Sequence, residues 1–187
     1  MKDEIRVLGV DDGYFLKRGN ARVLVVGAVL RGNKDLEGVL SCYITKDGRD
    51  ATNSLIRMIN LSKHKRQLRY TMTNGTTLAG FNILDIAELH KKTGLPVLSI
   101  LRKKPNLERV DKALDNFRDK KERKAIMEKA GEINRYRQLW FQTAGLSLSE
   151  AKELIDKALR KSNIPEPVRI AHIIASGVTY GESTKRA

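Results

Sequence analysis

The chain has 187 residues, 41% of them hydrophobic, and carries 36 Lys and Arg against 22 Asp and Glu, for a formal net charge of +14. That length and apolar share suffice for one packed domain and exclude wholesale disorder, while so large a charge imbalance predicts a polyanionic partner, nucleic acid above all. A single cysteine, Cys42, excludes an intrachain disulfide or a thiolate zinc cluster, and no leader pattern or bilayer-length apolar run is present, so a cytoplasmic protein with no membrane partner is expected.

Ile5 to Val10 is a hydrophobic, β-branched run that reads as a buried strand and stops abruptly at Asp11-Asp12-Gly13. Successive strand side chains point to opposite faces, so the two carboxylates cannot enter the same core and at least one faces a cleft or solvent. Carboxylates at the mouth of a buried strand suit Mg²⁺, a hard cation that prefers oxygen; equally, Asp-Asp-Gly is ordinary turn chemistry. The residues alone leave both readings open.

A Lys-Arg-Gly-Asn turn signal lies between Phe15 and Asn20. Ala21–Leu30 is a second buried strand, Gly32–Asp35 a hairpin turn, and Leu36–Thr45 a third strand, which begins the sheet with antiparallel pairs. Cys42, among Leu40, Tyr43 and Ile44, is expected as a small core residue. The loop Lys46–Thr52 leads into a helix with Leu55, Ile56, Met58 and Ile59 on its apolar face and Asp50 near its start, where a carboxylate favours the helix dipole. Lys63, His64, Lys65, Arg66 and Arg69 form a basic connection into a strand near Leu68–Thr73, which Gly75 breaks.

Phe81–Lys92 has helical spacing and Gly94 supplies its stop; Pro96–Leu101 is then a short apolar strand. Strand, helix, strand in this order predicts a parallel crossover and a mixed sheet. Arg102-Lys103-Lys104 follows at the carboxyl end of that strand, the edge where open α/β sheets gather ligands. Leu107, Val110, Leu114 and Phe117 predict a helix from Asn106, and the charged run from Arg118 to Lys124 makes an exposed helical excursion over about 106–130. Tyr136, Leu139, Trp140 and Phe141 form an aromatic cluster, a strand or a helix-to-strand connection. A lone Trp in an apolar run is expected in the core, with base stacking as the alternative. Ser147–Glu150 resembles a capping box opening a helix through Leu159. After Pro165-Glu166-Pro167 comes a last helix that carries His172 and is expected to end at Gly177. No repeat or linker divides residues 1–187, so a single domain is expected.

No Walker loop, dinucleotide fingerprint, HExxH or nucleophile elbow is present, and Gly75–Gly80 lacks the lysine of a phosphate loop. What remains is a scatter of polar groups: Asp11 and Asp12, Asp47 and Asp50, and His172. Metal-dependent phosphodiester cleavage needs carboxylates gathered from distant parts of a chain, and this scatter is compatible with that.

In the order of its pieces the sequence resembles an archaeal family related to endonuclease V, one branch of which is called endonuclease dU. The residues that carry the resemblance are Gly9-Val10-Asp11-Asp12-Gly13, Asp47-Gly48-Arg49-Asp50-Ala51-Thr52, Ala79-Gly80-Phe81-Asn82 with Asp85, Pro165 to His172, Ala175-Ser176-Gly177 and Gly181-Glu182-Ser183. The resemblance implies an RNase H-like α/β fold and a Mg²⁺- or Mn²⁺-dependent endonuclease acting on DNA, or RNA, with deaminated bases (uracil or hypoxanthine), in DNA repair. It implies Asp11 and Asp50 as metal ligands, Asp12 in support and His172 as a catalytic partner. Lys63, Arg66, Arg102, Lys103 and Lys104 are then candidate nucleic-acid contacts. One departure stands out: where endonuclease V carries a further acidic ligand after its fourth strand, this chain has Asn74-Gly75, and an uncharged amide holds a cation less well. Two other functional classes follow: a nucleic-acid-binding protein that kept the fold without cleavage, and a scaffold using the charged excursion.

Overall fold

The computed structural model describes residues 4–16 and 21–183; the turn signal at Lys17–Asn20 and the tail from Thr184 lie outside them. The chain opens with three strands, β1 (Arg6–Asp12), β2 (Arg22–Arg31) and β3 (Asp35–Thr45), each antiparallel to the next. Helix α1 (Ala51–Asn60) leads to β4 (Leu68–Asn74), which lies parallel to β1. A small hairpin, β5 (Thr77–Leu78) and β6 (Asn82–Ile83), precedes α2 (Ile86–Thr93) and β7 (Val97–Leu101), the latter parallel to β4. Helices α3 (Leu107–Leu114) and α4 (Lys120–Lys129) form the excursion. A second hairpin, β8 (Asn134–Tyr136) and β9 (Leu139–Ala144), closes the sheet, and α5 (Leu148–Ala158) and α6 (Glu166–Tyr180) follow. The seven-stranded order is β3-β2-β1-β4-β7-β9-β8, the mixed sheet expected from the sequence.

The central strands β1, β2 and β7 are buried on both faces, whereas the edge strand β3 is largely exposed or half-buried. Leu8 and Val10 of β1 pack with Leu55 and Ile59 of α1 and Leu89 of α2, whereas Val7, Met72, Leu98, Ile100 and Phe141 pack with Leu154 and Ile155 of α5 and Val168 of α6. Side-chain alternation along β1 therefore assigns even positions to the α1/α2 layer and odd positions to the α5/α6 layer. Gly9, Asp11 and Gly13 share the second face, and the glycines have a purpose there. A Cβ on Gly9 would lie 2.0 Å from the carbonyl of Pro167, and one on Gly13 would lie 2.6 Å from the Thr179 side chain. Two missing side chains let α6 settle directly onto β1, with Asp11 beneath it.

Three details differ from the sequence reading. Residues 81–85 are hairpin and cap, not helix: Asp85 N-caps α2 by accepting from the Glu88 N–H, and the Asn82 side chain is committed to its neighbours. Helix α6 runs through Gly177 to Tyr180, because Gly181, at φ 92°, is the residue that takes the left-handed stop. The excursion is partly solvated, as expected, but its charged run is not all surface, since Arg123 of α4 is buried. Among the described residues no helix is long and apolar enough to cross a membrane.

Candidate active site

β1, β4 and β7 are parallel, so Asp11-Asp12, Asn74 and Arg102 all arrive at one edge of the sheet. There a cleft of about 240 Å³ is lined by Asp11, Asp12, Gly13, Tyr14, Phe15, Asn74, His172 and Ser176. Asp11 is 2% exposed. Its Oδ2 lies 2.8 Å from His172 Nδ1, and its two oxygens accept from Asn74 Nδ2 at 3.2 and 3.3 Å. The Asp12 backbone N–H also donates to Asp11 Oδ1, at 3.0 Å. An ionised carboxylate only accepts, so this contact with an ionised Asp11 requires the Nδ1–H form of His172. His172 is carried by α6, whose first turn is pinned over Gly9, and the Ser176 hydroxyl donates to the His172 carbonyl one turn on.

Asp12 points to the other face, as alternation requires. Its Oδ2 accepts the Ala79 N–H at 2.7 Å. Burial, and next the charge of Asp11, push its carboxyl up to about 7. Two adjacent carboxyls that resist being charged together form a locus where a cation is favourable.

Asp50 is placed differently. Both its oxygens accept the Thr45 N–H (3.0 and 3.1 Å), Oδ2 takes the Thr45 hydroxyl, and Oδ1 takes Asn82 Nδ2 at 2.6 Å. Burial raises the Asp50 carboxyl, but donors from Thr45 and Asn82 outweigh it and leave it below the usual carboxylate range. It is not among the residues lining the cleft; it lies in a separate depression with Arg22, Cys42 and Arg57. The expected meeting of Asp50 with Asp11 and His172 is thus not the arrangement found, because Asp50 is consumed in tying β3 to the start of α1. Cys42, in the same depression, is half-buried, and burial pushes its thiol up to about 11, far from a thiolate nucleophile.

Asp47 is a latch as well. At φ 54° it accepts the Phe81 N–H at 2.8 Å, and its own N–H donates to the Ala79 carbonyl at 2.8 Å. Ala79 itself sits at φ 47°, a conformation that costs energy unless its surroundings enforce it. Arg123 is part of those surroundings. It is 6% exposed, paired to Asp119 at 2.8 Å, laid over the Phe117 ring, and donates to the carbonyls of Asp47 (2.8 Å), Gly48 (3.1 Å) and Phe81. Sequence reasoning missed this residue, since in a run of Lys, Arg and Glu nothing sets a buried arginine apart. Asn74 entered it only as a departure, yet here it is the amide that binds both oxygens of Asp11.

The basic candidates divide. Arg102, Lys103 and Lys104 are exposed at the same edge as the cleft, just past β7. Lys63 and Arg66 precede β4, at the opposite edge and so about 20 Å away along a seven-residue strand. Trp140, expected mainly as core, is only half-buried and lies beside Lys104.

Among the described residues no three His, Cys, Asp or Glu side chains stand in a metal-binding arrangement. The donors present are two carboxylates and an amide, next to an imidazole. That set fits Mg²⁺ or Mn²⁺ held in part by substrate phosphate, for such cations use one or two carboxylates and keep the remaining positions for water and phosphate.

A family model described as endonuclease dU matches residues 3–179. A UPF0215 protein of Methanothermobacter thermautotrophicus is 48% identical over 187 residues, covering 98% of this chain and 92% of that one. The crystal structure of a protein of unknown function from Archaeoglobus fulgidus superposes with a TM-score of 0.90 at 41% identity, over 95% of this chain and 100% of that chain. Endonuclease V of Ciona intestinalis, in complex with a 24mer DNA containing an inosine followed by a ribo-adenosine, superposes with a TM-score of 0.57 at 10% identity, over 90% and 82% of the two chains. The fold is the RNase H-like fold of endonuclease V.

Proposed function

The chain belongs to the endonuclease dU family, and from that premise we propose that it is a metal-dependent endonuclease that hydrolyses a phosphodiester in DNA near a deaminated base, uracil or hypoxanthine, in DNA repair. The observation that carries this reading is the cleft itself: a buried Asp11 held by His172 and Asn74, beside an Asp12 whose carboxyl is raised to about 7, at the basic edge of the sheet. The likeness of the fold to an enzyme crystallised on inosine-containing DNA supports the substrate class.

Asp11 and Asp12 would hold the cation, with Asn74 contributing a carbonyl oxygen if its amide is turned over. When bound, such a cation polarises the phosphate and lowers the pKa of a water. His172 fixes the Asp11 carboxylate through Nδ1–H and is placed to hold a proton at the cleft. The Ala79 N–H fixes Asp12. Arg102, Lys103 and Lys104 meet phosphates along the edge, a contribution that weakens with salt.

A second reading, a nucleic-acid-binding protein of this fold without cleavage, is favoured by one observation. Asn74 donates to both Asp11 oxygens where endonuclease V carries an acidic ligand. One experiment separates the two. Labelled DNA bearing a single deoxyuridine or deoxyinosine is incubated with Mg²⁺ or Mn²⁺ and wild-type protein or Asp11→Asn. Cleavage that needs the metal and is lost in Asp11→Asn supports the enzyme. Binding without cleavage at high protein concentration overturns the enzyme in favour of the second reading.

A further inference from the structure

Trp140 is the single tryptophan of the chain, and the role proposed above makes no use of it. It lies half-buried on β9, opposite Leu101 at the end of β7, with Lys104 Nζ 5.4 Å and the Arg135 guanidinium 5.7 Å from its ring centroid. Phe141, the next residue, packs in the α5/α6 layer, so Trp140 and Gln142 face the other side of the sheet. Gln142 lines an apolar cavity of about 440 Å³ between the end of β7 and helices α3 and α4. Trp140 therefore stands at the sheet edge beside that cavity, three strands from Asp11, or about 14 Å at ordinary strand spacing.

The cations here differ from those of the neighbouring helices. Lys120 and Lys124 are paired with Asp111, Arg123 with Asp119, and Lys129 with Asp85. Among the described residues no carboxylate pairs with Arg102, Lys103, Lys104 or Arg135. The positive charge at this edge is left over after internal pairing and is available to an anion.

We propose that Trp140 is a stacking station for an unpaired nucleobase, with Lys104 and Arg135 gripping the phosphates that flank it, so that the protein engages a single-stranded or locally opened strand. An aromatic ring set in a basic strip is the physical pattern of single-strand binding, in which the ring takes the base face and the cations track the backbone. Stacking of a base outweighs an exposed cation–π contact, so an arriving base displaces the flexible Lys104 ammonium from the ring to a phosphate. Duplex bases have their faces covered by one another and cannot make this contact. The proposal rests on the nucleic-acid partner inferred above, though not on cleavage.

With a single tryptophan, intrinsic fluorescence reads this site alone. The protein is titrated in EDTA with a 12-nucleotide oligothymidylate and with a duplex of the same length, and affinity is followed in parallel by anisotropy of labelled DNA. The single strand quenches Trp140 and the duplex does not. Trp140→Ala binds the single strand about tenfold more weakly, Trp140→Phe binds nearly as wild type, and Lys104→Gln with Arg135→Gln lowers affinity further and flattens its salt dependence. Circular dichroism verifies that each variant is folded. Binding of the single strand without quenching, equal quenching by the duplex, or wild-type affinity in Trp140→Ala would overturn the proposal while leaving a nucleic-acid partner intact. Binding of neither DNA would overturn both. Quenching in a protein that cuts nothing removes the endonuclease and leaves the stacking station standing.

Discussion

Two acidic clusters sit near one edge of this sheet and look alike as sequence: Asp11-Asp12-Gly13 at the end of β1, and Asp47-Gly48-Arg49-Asp50 between β3 and α1. The structure gives them opposite occupations. Asp50 takes donors from Thr45 and Asn82 on both oxygens, Asp47 takes the Phe81 N–H, and both hold loops in place. Asp11 and Asp12 line a cleft, where Asp11 meets an imidazole and an amide, and burial together with the charge of Asp11 raises the Asp12 carboxyl to about 7. A carboxylate held among the donors of a loop is a structural fastener, whereas one buried in a cleft beside a like charge, even with donors of its own, has capacity for a cation. The comparison teaches that placement in a cleft beside a like charge, not the acidic residue itself, separates a candidate site from a latch.

The largest expected effect breaks that comparison most directly. Asp11→Asn should reduce cleavage by at least about 10²-fold, the scale of losing one fixed electrostatic group at a reacting centre, and, since its amide would face the donors of His172, Asn74 and Asp12, it should also cost about 1–3 kcal/mol of stability. Asp50→Asn should cost stability alone. It presents an N–H group to donors already in place, costs about 1–3 kcal/mol of stability, and leaves cleavage below the melting transition within a few-fold. Thermal unfolding and initial cleavage rates on the same preparations decide it. If Asp50→Asn abolishes cleavage in a folded protein, the latch reading of Asp50 fails and the pairing of Asp11 with Asp50 implied by the resemblance returns.

How much of this was legible beforehand follows from what each feature depends on. The strand at Arg6–Asp12, the antiparallel start, the βαβ crossover, the Ser147 capping box and the apolar faces of α1 and α5 follow from local period and composition, and the structure has them. The meeting of Asp11 with His172, 161 positions apart, entered through family resemblance and not through any local signal. The latch role of Asp50 was invisible, because it needs the Asn82 side chain to cross from a hairpin that reads as helix. Arg123 was equally hidden, since burial of one cation in a charged run depends on carbonyls supplied by two distant loops.

A smaller effect sharpens the same contrast through glycine. Gly9 and Gly80 each serve one cluster: a Cβ on Gly9 would strike the Pro167 carbonyl at 2.0 Å, and one on Gly80 would lie 2.3 Å from Asp47 Oδ1. Backbone cannot move aside cheaply, so Gly9→Ala should cost about 1–3 kcal/mol and push α6, with His172, away from Asp11. Its cleavage should fall well below what the lost stability explains. Gly80→Ala meets a side chain instead, but at φ 87° it carries the strain of a left-handed residue, about 1–3 kcal/mol. It should lower stability with a smaller effect on cleavage per folded molecule. Equal losses of cleavage per folded molecule in the two variants would show that the Ala79–Phe81 turn matters to the chemistry as much as α6 does.

The smallest effect extends the contrast from carboxylates to cations. Arg102 and Lys103 stand at the cleft edge of the sheet, and Lys63 and Arg66 at the opposite edge, about 20 Å away along β4. Both sets add equally to the net charge of +14, so long-range attraction alone cannot tell them apart; at physiological salt the screening length is only about 8 Å. A phosphate contact, unlike general attraction, releases a bound counterion, and the slope of log affinity against log salt falls by about 1 for each contact removed. Arg102→Gln with Lys103→Gln should therefore flatten that slope by about 2 and weaken binding several-fold at moderate salt. Lys63→Gln with Arg66→Gln should leave the slope within error of wild type, since a strand gripped at the cleft edge has no reason to reach the other. Binding isotherms at several salt concentrations, taken without divalent metal, give both slopes. If the Lys63 and Arg66 pair flattens the slope as much as the Arg102 and Lys103 pair, the nucleic acid wraps both edges of the sheet, and the cleft edge is only one part of its path.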